Sequence, residues 1–353
     1  MKILFSVMII FCVDFLAHAQ KKTVSPKPAA DTVIITITNL GATINTPFSE
    51  YAPIISADGQ MMVFTSRRPV TEKEIKKNKQ GMENIYVSYY DEKSQETRNA
   101  FFGGNKNWEE AKRFSESINQ PGRHNSAIAL SNDGQRMLLY RDDQNGNGDI
   151  YESILQGKEW SEPIKLPQPI NSDDHESSAS ISPDGRTIYF VSNRKGGIGG
   201  RDIYFCTQDK DGNWGQVANM GAIINTKEDE EGIFIHPDGK TIYFSSKGHN
   251  SMGGYDIFKS EWNITSGSWE KPVNMDFAIN TPDDDILFIS DAEDKSAYFS
   301  SRRESADGNI TVYKIKLDRK PLDLAIIKGV LTKEVGDKEA KATITVTKIL
   351  KDE

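Results

Sequence analysis

The sequence has little cysteine. Its 353 residues include two, Cys12 and Cys206, and Cys12 lies within an apolar run near the N-terminus. That run has the layout of a cleaved secretory signal. Cys206 is then the one cysteine of the mature chain, which excludes an internal disulfide. We therefore expect the folded protein to be stabilised by packing rather than by covalent cross-links.

Positive charge is also scarce. The 43 Lys and Arg residues are outnumbered by 51 Asp and Glu residues, which gives a net charge of -8. Proteins that bind nucleic acid through its phosphates present an excess of basic residues on one surface. We expect no nucleic-acid partner.

A hydrophobic run long enough to span a bilayer, about 20 residues in a helix, is missing as well. The apolar run near the N-terminus extends only over residues 3–13, follows Met1-Lys2 and precedes Ala17-His18-Ala19. This layout predicts a secretory signal peptide over residues 1–19, followed by a polar linker over 20–31. We expect an exported, periplasmic protein that does not span the membrane.

Motifs for metal binding and nucleophilic catalysis are absent. The histidines of the mature chain form neither a His-Glu-x-x-His pattern nor a Cys-His cluster. Residues 143–154 begin like a calcium loop, but Ile154 takes the place of the twelfth-position Glu. The run Gly196–Gly200 lacks the Gly-Lys-Ser/Thr of a phosphate-binding loop, and we expect its glycines to permit positive φ. We predict no metal ion, no cofactor and no catalytic residue.

What the chain does contain is a repeated unit. Residues 181–204 predict a strand, a tight turn at Asp184-Gly185, a second apolar strand, a glycine-rich loop and a third strand. The turn sequence recurs at four other places: Ile55-Ser-Ala-Asp-Gly, Leu130-Ser-Asn-Asp-Gly, Ile235-His-Pro-Asp-Gly and, in a diverged form, Ile289-Ser-Asp-Ala-Glu. One unit therefore accounts for most of the protein.

Two further marks give the period of this repeat. An Ile-Asn pair recurs with its asparagine at Asn45, Asn119, Asn171, Asn225 and Asn280; the first interval is the longest and the other three are nearly equal. A tryptophan precedes each of the last four asparagines at one constant spacing and marks a fourth strand: Trp108, Trp160, Trp214 and Trp269. Even spacing of this size with several short strands per period predicts a β-propeller with one blade per period.

The N-terminal strand predicts how the ring closes. Counting back from Asn45 by the same tryptophan-to-asparagine spacing reaches Ile34, so Ile34–Leu40 is in fourth-strand register without a preceding blade. We predict an all-β fold, a five-bladed propeller of four-stranded blades over residues 32–317, whose last blade receives this N-terminal strand. Ring closure leaves no free first or last edge.

The repeat motifs resemble those of a known family. A Pro-Asp-Gly turn, an Ile-Tyr-Phe-x-Ser strand and Gly-Gly-x-Gly-Gly-x-Asp-Ile-Tyr are similar to the TolB-type, WD40-like propeller repeat. They most resemble the propeller region of OmpA-family envelope proteins of the Bacteroidota, including the peptidoglycan-associated component of type IX secretion. The resemblance covers about residues 31–316. Six blades, the number in TolB, is the alternative to five.

The C-terminal region, residues 318–353, has a different pattern. Its sequence is similar to the opening of a carboxypeptidase-regulatory-like β-sandwich, with room for two or three strands. In the envelope proteins that the propeller resembles, an OmpA-type peptidoglycan-binding domain follows such a sandwich. We do not find that anchor in this sequence and expect any contact with peptidoglycan to be indirect.

Charged residues recur at the strand ends of each blade and form the candidate binding site. An acid or asparagine begins the first strand, and a base follows the second: Glu50, Asn125, Glu176, Glu230 and Asp284; Arg68, Arg194, Lys247 and Arg303. One interpretation is a repeated ion pair within each blade, worth less than about 1 kcal/mol if exposed. The other is a polar collar around the channel that binds a peptide or a glycan.

Two functions remain open from the sequence. The first is a non-enzymatic protein-interaction scaffold of the cell envelope, on the periplasmic side of the outer membrane. The resemblance implies partners among envelope or secretion-complex proteins. The alternative is a five-bladed glycosidase that uses channel carboxylates as acid and nucleophile or base.

Overall fold

The computed structural model describes residues 32–77, 79–90, 108–143, 146–292 and 296–320. These residues form five antiparallel sheets around one central channel, which confirms the predicted five-bladed β-propeller and excludes six blades. The compact unit extends over Val33–Asp318. The predicted signal peptide, the linker and residues 321–353 lie outside the described residues.

The strands follow one another from the channel outward in every blade. Blade one contains β2 (Glu50–Ile55), β3 (Met61–Ser66), β4 (Asn84–Tyr89) and β5 (Lys112–Arg113). Blade two contains β6 (Asn125–Leu130), β7 (Arg136–Asp142), β8 (Gly148–Gln156), β9 (Glu159–Trp160) and β10 (Ile164–Lys165). Blade three contains β11 (Glu176–Ile181), β12 (Thr187–Ser192), β13 (Asp202–Thr207) and β14 (Ala218–Asn219).

Blades four and five complete the ring. Blade four contains β15 (Glu230–Ile235), β16 (Thr241–Ser246), β17 (Asp256–Asn263), β18 (Ser268–Trp269) and β19 (Val273–Asn274). Blade five contains β20 (Asp285–Ser290), β21 (Ser296–Ser301), β22 (Thr311–Lys320) and the N-terminal strand β1 (Thr32–Asn39). Two short helices, α1 (Glu72–Lys77) and α2 (Asp276–Ile279), lie in connections. Within the described residues, no helix is long and apolar enough to cross a membrane.

The Ile-Asn motif joins neighbouring blades. In each repeat the asparagine side chain accepts from the backbone N–H and donates to the C=O of one third-strand residue of the preceding blade, over 2.6–3.0 Å. Asn45 makes this pair of bonds with Val312 of β22, 267 positions along the chain. The pairing of β1 with β22 and the Asn45 bonds together confirm the predicted closure.

Apolar clusters fill the space between blades. The described residues form five buried clusters, one for each pair of neighbouring blades. Second strands bury both faces, as β16 does along its whole length, which explains their continuous apolar runs. Four phenylalanines at one register position are fully buried: Phe64, Phe190, Phe244 and Phe299.

The fourth strands are shorter than the repeat predicts. In blades two and four, two short pieces, one at the tryptophan and one just after it, replace one continuous strand. Pro163 and Pro272 lie between the pieces and have no N–H to donate to the ladder. The outer edge of these blades is therefore interrupted.

Candidate functional site

Two of the acid–base pairs predicted from the repeat form, Glu50–Arg68 and Glu176–Arg194, and blade five has an equivalent pair, Asp285–Arg303. Glu50, Glu176 and Asp285 each pair with the arginine that follows their second strand, over 3.4, 3.0 and 2.8 Å, and all three carboxylates are 0% exposed. In blade three, Oε1 of Glu176 also accepts hydrogen bonds from the hydroxyls of Ser172 and Ser192. These groups lie inside the blades and do not rim the channel.

In blade five the acid at this register position is Asp285, one position after the Asp284 chosen from the sequence. Asp285 lies opposite Ser301 in the ladder, as Glu50 lies opposite Ser66. Asp284, one position earlier, instead pairs with Arg302 over 3.1 Å and lines the channel. The diverged turn of this blade obscures the alignment, whereas the step from the Ile-Asn asparagine to the acid, which is the same in blades one, three and four, identifies Asp285.

Blades two and four each lack one partner of the pair. Arg141 donates from Nε to Oδ1 of Asn125 over 2.9 Å, so a buried guanidinium has no carboxylate there. In blade four, Lys247 pairs with Asp229 over 3.0 Å rather than with Glu230, because its side chain follows the second strand directly instead of one position later. Glu230 keeps only neutral donors, from Thr226 and Ser246.

One feature of this network is common to all blades. A side-chain nitrogen contacts the backbone carbonyl of the isoleucine in each Ile-Asn motif, and the five donors are Arg68, Arg141, Arg194, His249 and Arg303. In blade four, Nε2 of His249 lies 2.9 Å from the Ile224 carbonyl and replaces the arginine. These five side chains therefore fix the backbone of the connection that leads into each inner strand.

The missing partners change the acidity of the remaining ones. Burial raises the pKa of Glu230 to about 7 from an ordinary value of 4.5, against hydrogen bonds that lower it. Burial likewise lowers the pKa of Arg141. Both shifts follow from moving a charge out of water; burial also raises the pKa of Glu50, although Arg68 beside it acts in the opposite direction.

The central channel has a waist at the bulges of the inner strands. Every inner strand shifts register once against its second strand. Ala52, Ile128, Ser178 and Leu287, which lie at these bulges, border the cavities on both sides of the waist. Ala52 and Leu287 have φ of 52° and 59°, a conformation rare for residues other than glycine. The bulges thus divide the channel into two chambers.

The chamber at the ends of the inner strands is apolar. It has a volume of about 230 Å³, and partly exposed aliphatic and aromatic side chains converge in it, among them Ile55, Leu130, Phe234 and Ile289. We call it the apolar chamber. It contains little that could carry out chemistry.

The chamber at the starts of the inner strands is polar and larger, about 540 Å³. We call it the polar chamber. Three arginines and four carboxylates line it: Arg67, Arg201, Arg302, Glu83, Glu231, Asp284 and Asp307. Of the residues predicted from the repeat as a channel collar, Asp284 alone lines it.

The best-defined cluster of the polar chamber joins blades three and four. Nη1 of Arg201 lies 2.9 Å from Oε2 of Glu231, and the Ser177 hydroxyl lies within hydrogen-bond distance of both carboxylate oxygens, at 2.9 and 2.8 Å. The Glu231 side chain is 12% exposed and that of Arg201 39%. The carboxylate is thus held at the wall while the guanidinium faces the chamber.

A glycine loop positions Arg201. A Cβ on Gly199 would lie 2.2 Å from the Glu228 carbonyl oxygen, and one on Gly200 would lie 2.4 Å from Oδ1 of Asp229. The Glu230 amide donates to the Arg201 carbonyl over 2.9 Å. The expectation of positive φ holds at Gly196, whereas Gly199 and Gly200 allow close packing against blade four.

A second cluster lies between blades one and two. Nδ1 of His124 lies 3.5 Å from Oε2 of Glu83, and the Tyr51 hydroxyl hydrogen-bonds the same carboxylate. Burial raises the pKa of Glu83, but these two partners outweigh it and hold that pKa below its usual value. The Glu83 carboxylate in turn raises the pKa of His124.

The polar chamber also presents neutral polar groups. Nδ1 of His175 accepts from the Gly148 amide over 3.1 Å, and burial lowers the pKa of this histidine, so the neutral ring carries its proton on Nε2. Within the described residues, the hydroxyls of Tyr140 and Tyr255 and Nε2 of His175 make no hydrogen bond. Burial raises the pKa of both tyrosines, which keeps the phenols neutral.

These residues were missed because they do not repeat. The second residue of the inner strand is different in most blades: Tyr51, Ser126, Ser177, Glu231 and Ile286. A second varying position comes one residue before the third-strand residue that lies opposite Ser66, Arg141, Ser192, Ser246 or Ser301. It differs in every blade: Glu83, Gly148, Arg201, Tyr255 and Ile310. The sequence could have identified these residues in one way. They are the positions beside the repeated acids and bases at which the amino acid changes from blade to blade.

Comparisons with known proteins do not assign a family. No family model matches the chain. An uncharacterized protein from Lactococcus lactis subsp. cremoris is 26% identical over 142 residues, which are 38% of this chain and 39% of that protein's length. The match thus covers well under half of either protein.

Similar solved structures are propellers of several kinds. A putative TolB from Agrobacterium tumefaciens is 15% identical, with 82% of this chain and 88% of that chain covered and a TM-score of 0.45. TolB from Acinetobacter baumannii is 18% identical, with 79% and 57% covered and a TM-score of 0.40. An alpha-L-arabinofuranosidase from Podospora anserina is 12% identical, with 84% and 99% covered and a TM-score of 0.46. At this level of similarity, none of them assigns an activity to this chain.

Proposed function

We propose that this protein is a non-enzymatic interaction scaffold of the bacterial cell envelope. It is exported to the periplasm and associates with the outer membrane. There it docks a segment of an envelope or secretion-complex protein at the mouth of the polar chamber. The main support for the proposal is that the side chains at this mouth occupy positions at which the amino acid differs between blades. The neighbouring positions carry the acids and bases that repeat from blade to blade.

The geometry favours recognition at this end of the channel. Loops from all blades converge here, which is where rigid scaffolds place binding residues. The wall offers both charges and neutral polar groups, and Arg201 is partly exposed toward the chamber. The location in the envelope follows from the predicted signal peptide and from the resemblance of the repeat to the propellers of envelope proteins.

The carboxylates of the polar chamber support a binding role over a glycosidase. A glycosidase needs two carboxyl groups with different pKa values, one protonated as the acid and one ionised. Here three of the four carboxylates are paired: Glu231 with Arg201, Asp284 with Arg302, and Glu83 with His124. The pKa of Glu83 is held low, which is the opposite of what a general acid requires.

The experiment is a pull-down from envelope extracts of the producing bacterium with the mature chain from Gln20. Arg201→Ala removes one of the partly exposed cations of the mouth, and Lys158→Ala on an exposed turn of blade two is the matched control. We expect one set of envelope proteins to be captured by the wild-type and control proteins and lost from Arg201→Ala. Equal capture by all three proteins would show that the mouth of the polar chamber is not the binding site.

A separate assay tests the enzymatic alternative. The wild-type protein and Glu231→Gln are incubated with a panel of oligosaccharides, and the release of reducing ends is measured. We expect no turnover by either protein. Turnover by the wild-type protein that is lost in Glu231→Gln would establish the glycosidase instead.

A further inference from the structure

We propose that the polar chamber binds a neutral saccharide, which the unpaired hydrogen-bonding groups of Tyr140, Tyr255 and His175 recognise around the Arg201–Glu231 ion pair. This inference goes beyond docking of a protein segment and does not rest on it. The two are tested with different ligands, so one can fail while the other stands.

The charge of the chamber favours a neutral ligand. Its wall carries three arginines and four carboxylates, so it has a slight excess of negative charge. Arg201 and Arg302 are each neutralised by a carboxylate within 3.1 Å. At these two arginines an anionic ligand would have to displace a carboxylate of the protein, and at Glu231 or Asp284 a cationic ligand would have to displace an arginine.

The unpaired groups match the chemistry of sugar hydroxyls. The Tyr140 and Tyr255 hydroxyls both donate and accept, and Nε2–H of His175 donates. A ligand that only donates or only accepts would leave part of this set unused. A polyhydroxylated ligand satisfies all of it, and polar groups at a partly buried site cost free energy when they stay unpaired.

The rings and the volume fit the same class of ligand. The rings of Tyr140 and His175 lie 5.5 Å apart, and Tyr255 carries Lys247 against its face at 4.6 Å, so the aromatic groups are fixed in place. The chamber volume of about 540 Å³ lies within the range of small-molecule sites, about 300–1,000 Å³. Beyond the waist the channel becomes apolar, which confines a hydroxylated ligand to this side.

The test measures binding of small saccharides by calorimetry and by ligand-observed NMR, with full-length mature protein. The neutral probes are glucose, galactose, mannose, N-acetylglucosamine and their common disaccharides. Glucuronic acid is the comparison ligand for a charged sugar, and an acidic tripeptide is the comparison ligand for a peptide. We expect saturable binding of at least one neutral saccharide, and weaker binding of glucuronic acid than of glucose.

Two variants connect the binding to the chamber. Tyr140→Phe combined with Tyr255→Phe removes two hydroxyls that make no hydrogen bond in the described residues, so the fold is kept. We expect it to weaken saccharide binding about tenfold. Tyr89→Phe, at an exposed tyrosine at the far end of β4, is the control and leaves the affinity unchanged.

Three results would overturn the proposal. They are the absence of saturable binding by every neutral saccharide of the panel, equal affinity in the double variant and the wild-type protein, and tighter binding of glucuronic acid or the tripeptide than of any neutral sugar. Circular dichroism of each variant establishes that it is folded.

Discussion

Nη1 of Arg201 lies 2.9 Å from Oε2 of Glu231, and this ion pair joins blade three to blade four at the mouth of the polar chamber. Neither residue has an equivalent of the same kind in another blade. The pair is therefore a departure from the repeat, and it lies where loops from all blades converge. Its geometry depends on the glycine loop that precedes Arg201.

Gly199→Ala should displace this loop. The added Cβ meets backbone oxygens of residues 226 and 228 at 2.5 and 2.2 Å, and backbone atoms cannot move aside as a flexible side chain does. We expect the free energy of unfolding to fall by about 1–3 kcal/mol. Denaturant unfolding measures it, with Gly212→Ala as the control, since Gly212 has positive φ and no atom near its Cβ position. Gly212→Ala is expected to lose stability only through its backbone strain, and a loss in Gly199→Ala no larger than that would contradict close packing at Gly199.

Arg194→Met should destabilise blade three strongly. It leaves the fully buried Glu176 carboxylate without its cation and removes a donor to the Ile170 carbonyl. Breaking a buried pair in this way costs about 3 kcal/mol or more. Lys195→Met, at the next and exposed position, is the control and should change the free energy of unfolding by less than about 0.5 kcal/mol. A loss below about 1 kcal/mol in Arg194→Met would mean that the pair behaves as an exposed one.

Glu230→Gln should stabilise the protein at high pH. Burial raises the pKa of Glu230 to about 7 from 4.5, so between these values the folded protein holds a proton that the unfolded chain releases. The stability of the wild-type protein therefore falls as the pH rises through this window, by an amount on the order of 3 kcal/mol from this group. The glutamine variant lacks this loss.

The measurement is chemical denaturation at pH 5 and pH 8. We expect Glu230→Gln to match the wild-type protein at pH 5 and to exceed it at pH 8. Glu176→Gln, which breaks a pair with Arg194, should be less stable than the wild-type protein at both pH values. A Glu230→Gln variant that is destabilised at pH 8 would show that the ionised carboxylate is well solvated by Thr226 and Ser246.

Ile37→Asp should weaken the ring closure. Ile37 of β1 packs against the apolar cluster between blades four and five, and Asp at that place would lose this contact and bring a charge to the cluster. We expect a loss of about 2 kcal/mol in the free energy of unfolding. The control is Thr36→Asp, whose side chain faces solvent on the same strand. Equal stability of the two variants would contradict the placement of β1 as the outer strand of blade five.

The sequence predicts the fold because the fold repeats. The step from one Ile-Asn asparagine to the next and the tryptophan at a constant spacing before it define the blade, and counting back from Asn45 places β1 in blade five. The candidate site was predicted less well, because its residues do not repeat. The repeated acids Glu50 and Glu176 drew attention as a collar, yet their repetition reflects a structural role inside each blade.

The polar chamber could not be assembled from the sequence. Arg201 and Glu231 are 30 positions apart and belong to different blades, and their contact depends on how the glycine loop packs. The burial of Glu230 without a cation also needs the structure, because Lys247 is close in sequence register and turns to Asp229. The residues that depart from the repeat are the ones that line the polar chamber. The distances between them, however, depend on how the blades are arranged around the ring.

The central claim is that a partner binds at the mouth of the polar chamber. Site-specific photo-crosslinking in the periplasm tests it most directly, with a benzophenone amino acid at Ile286 in the mouth and, in a second variant, at the exposed Ile164 on the outer edge of blade two. We predict a discrete crosslinked envelope protein from position 286 and none from position 164. Crosslinks from position 164 alone, or from neither position, would contradict the account.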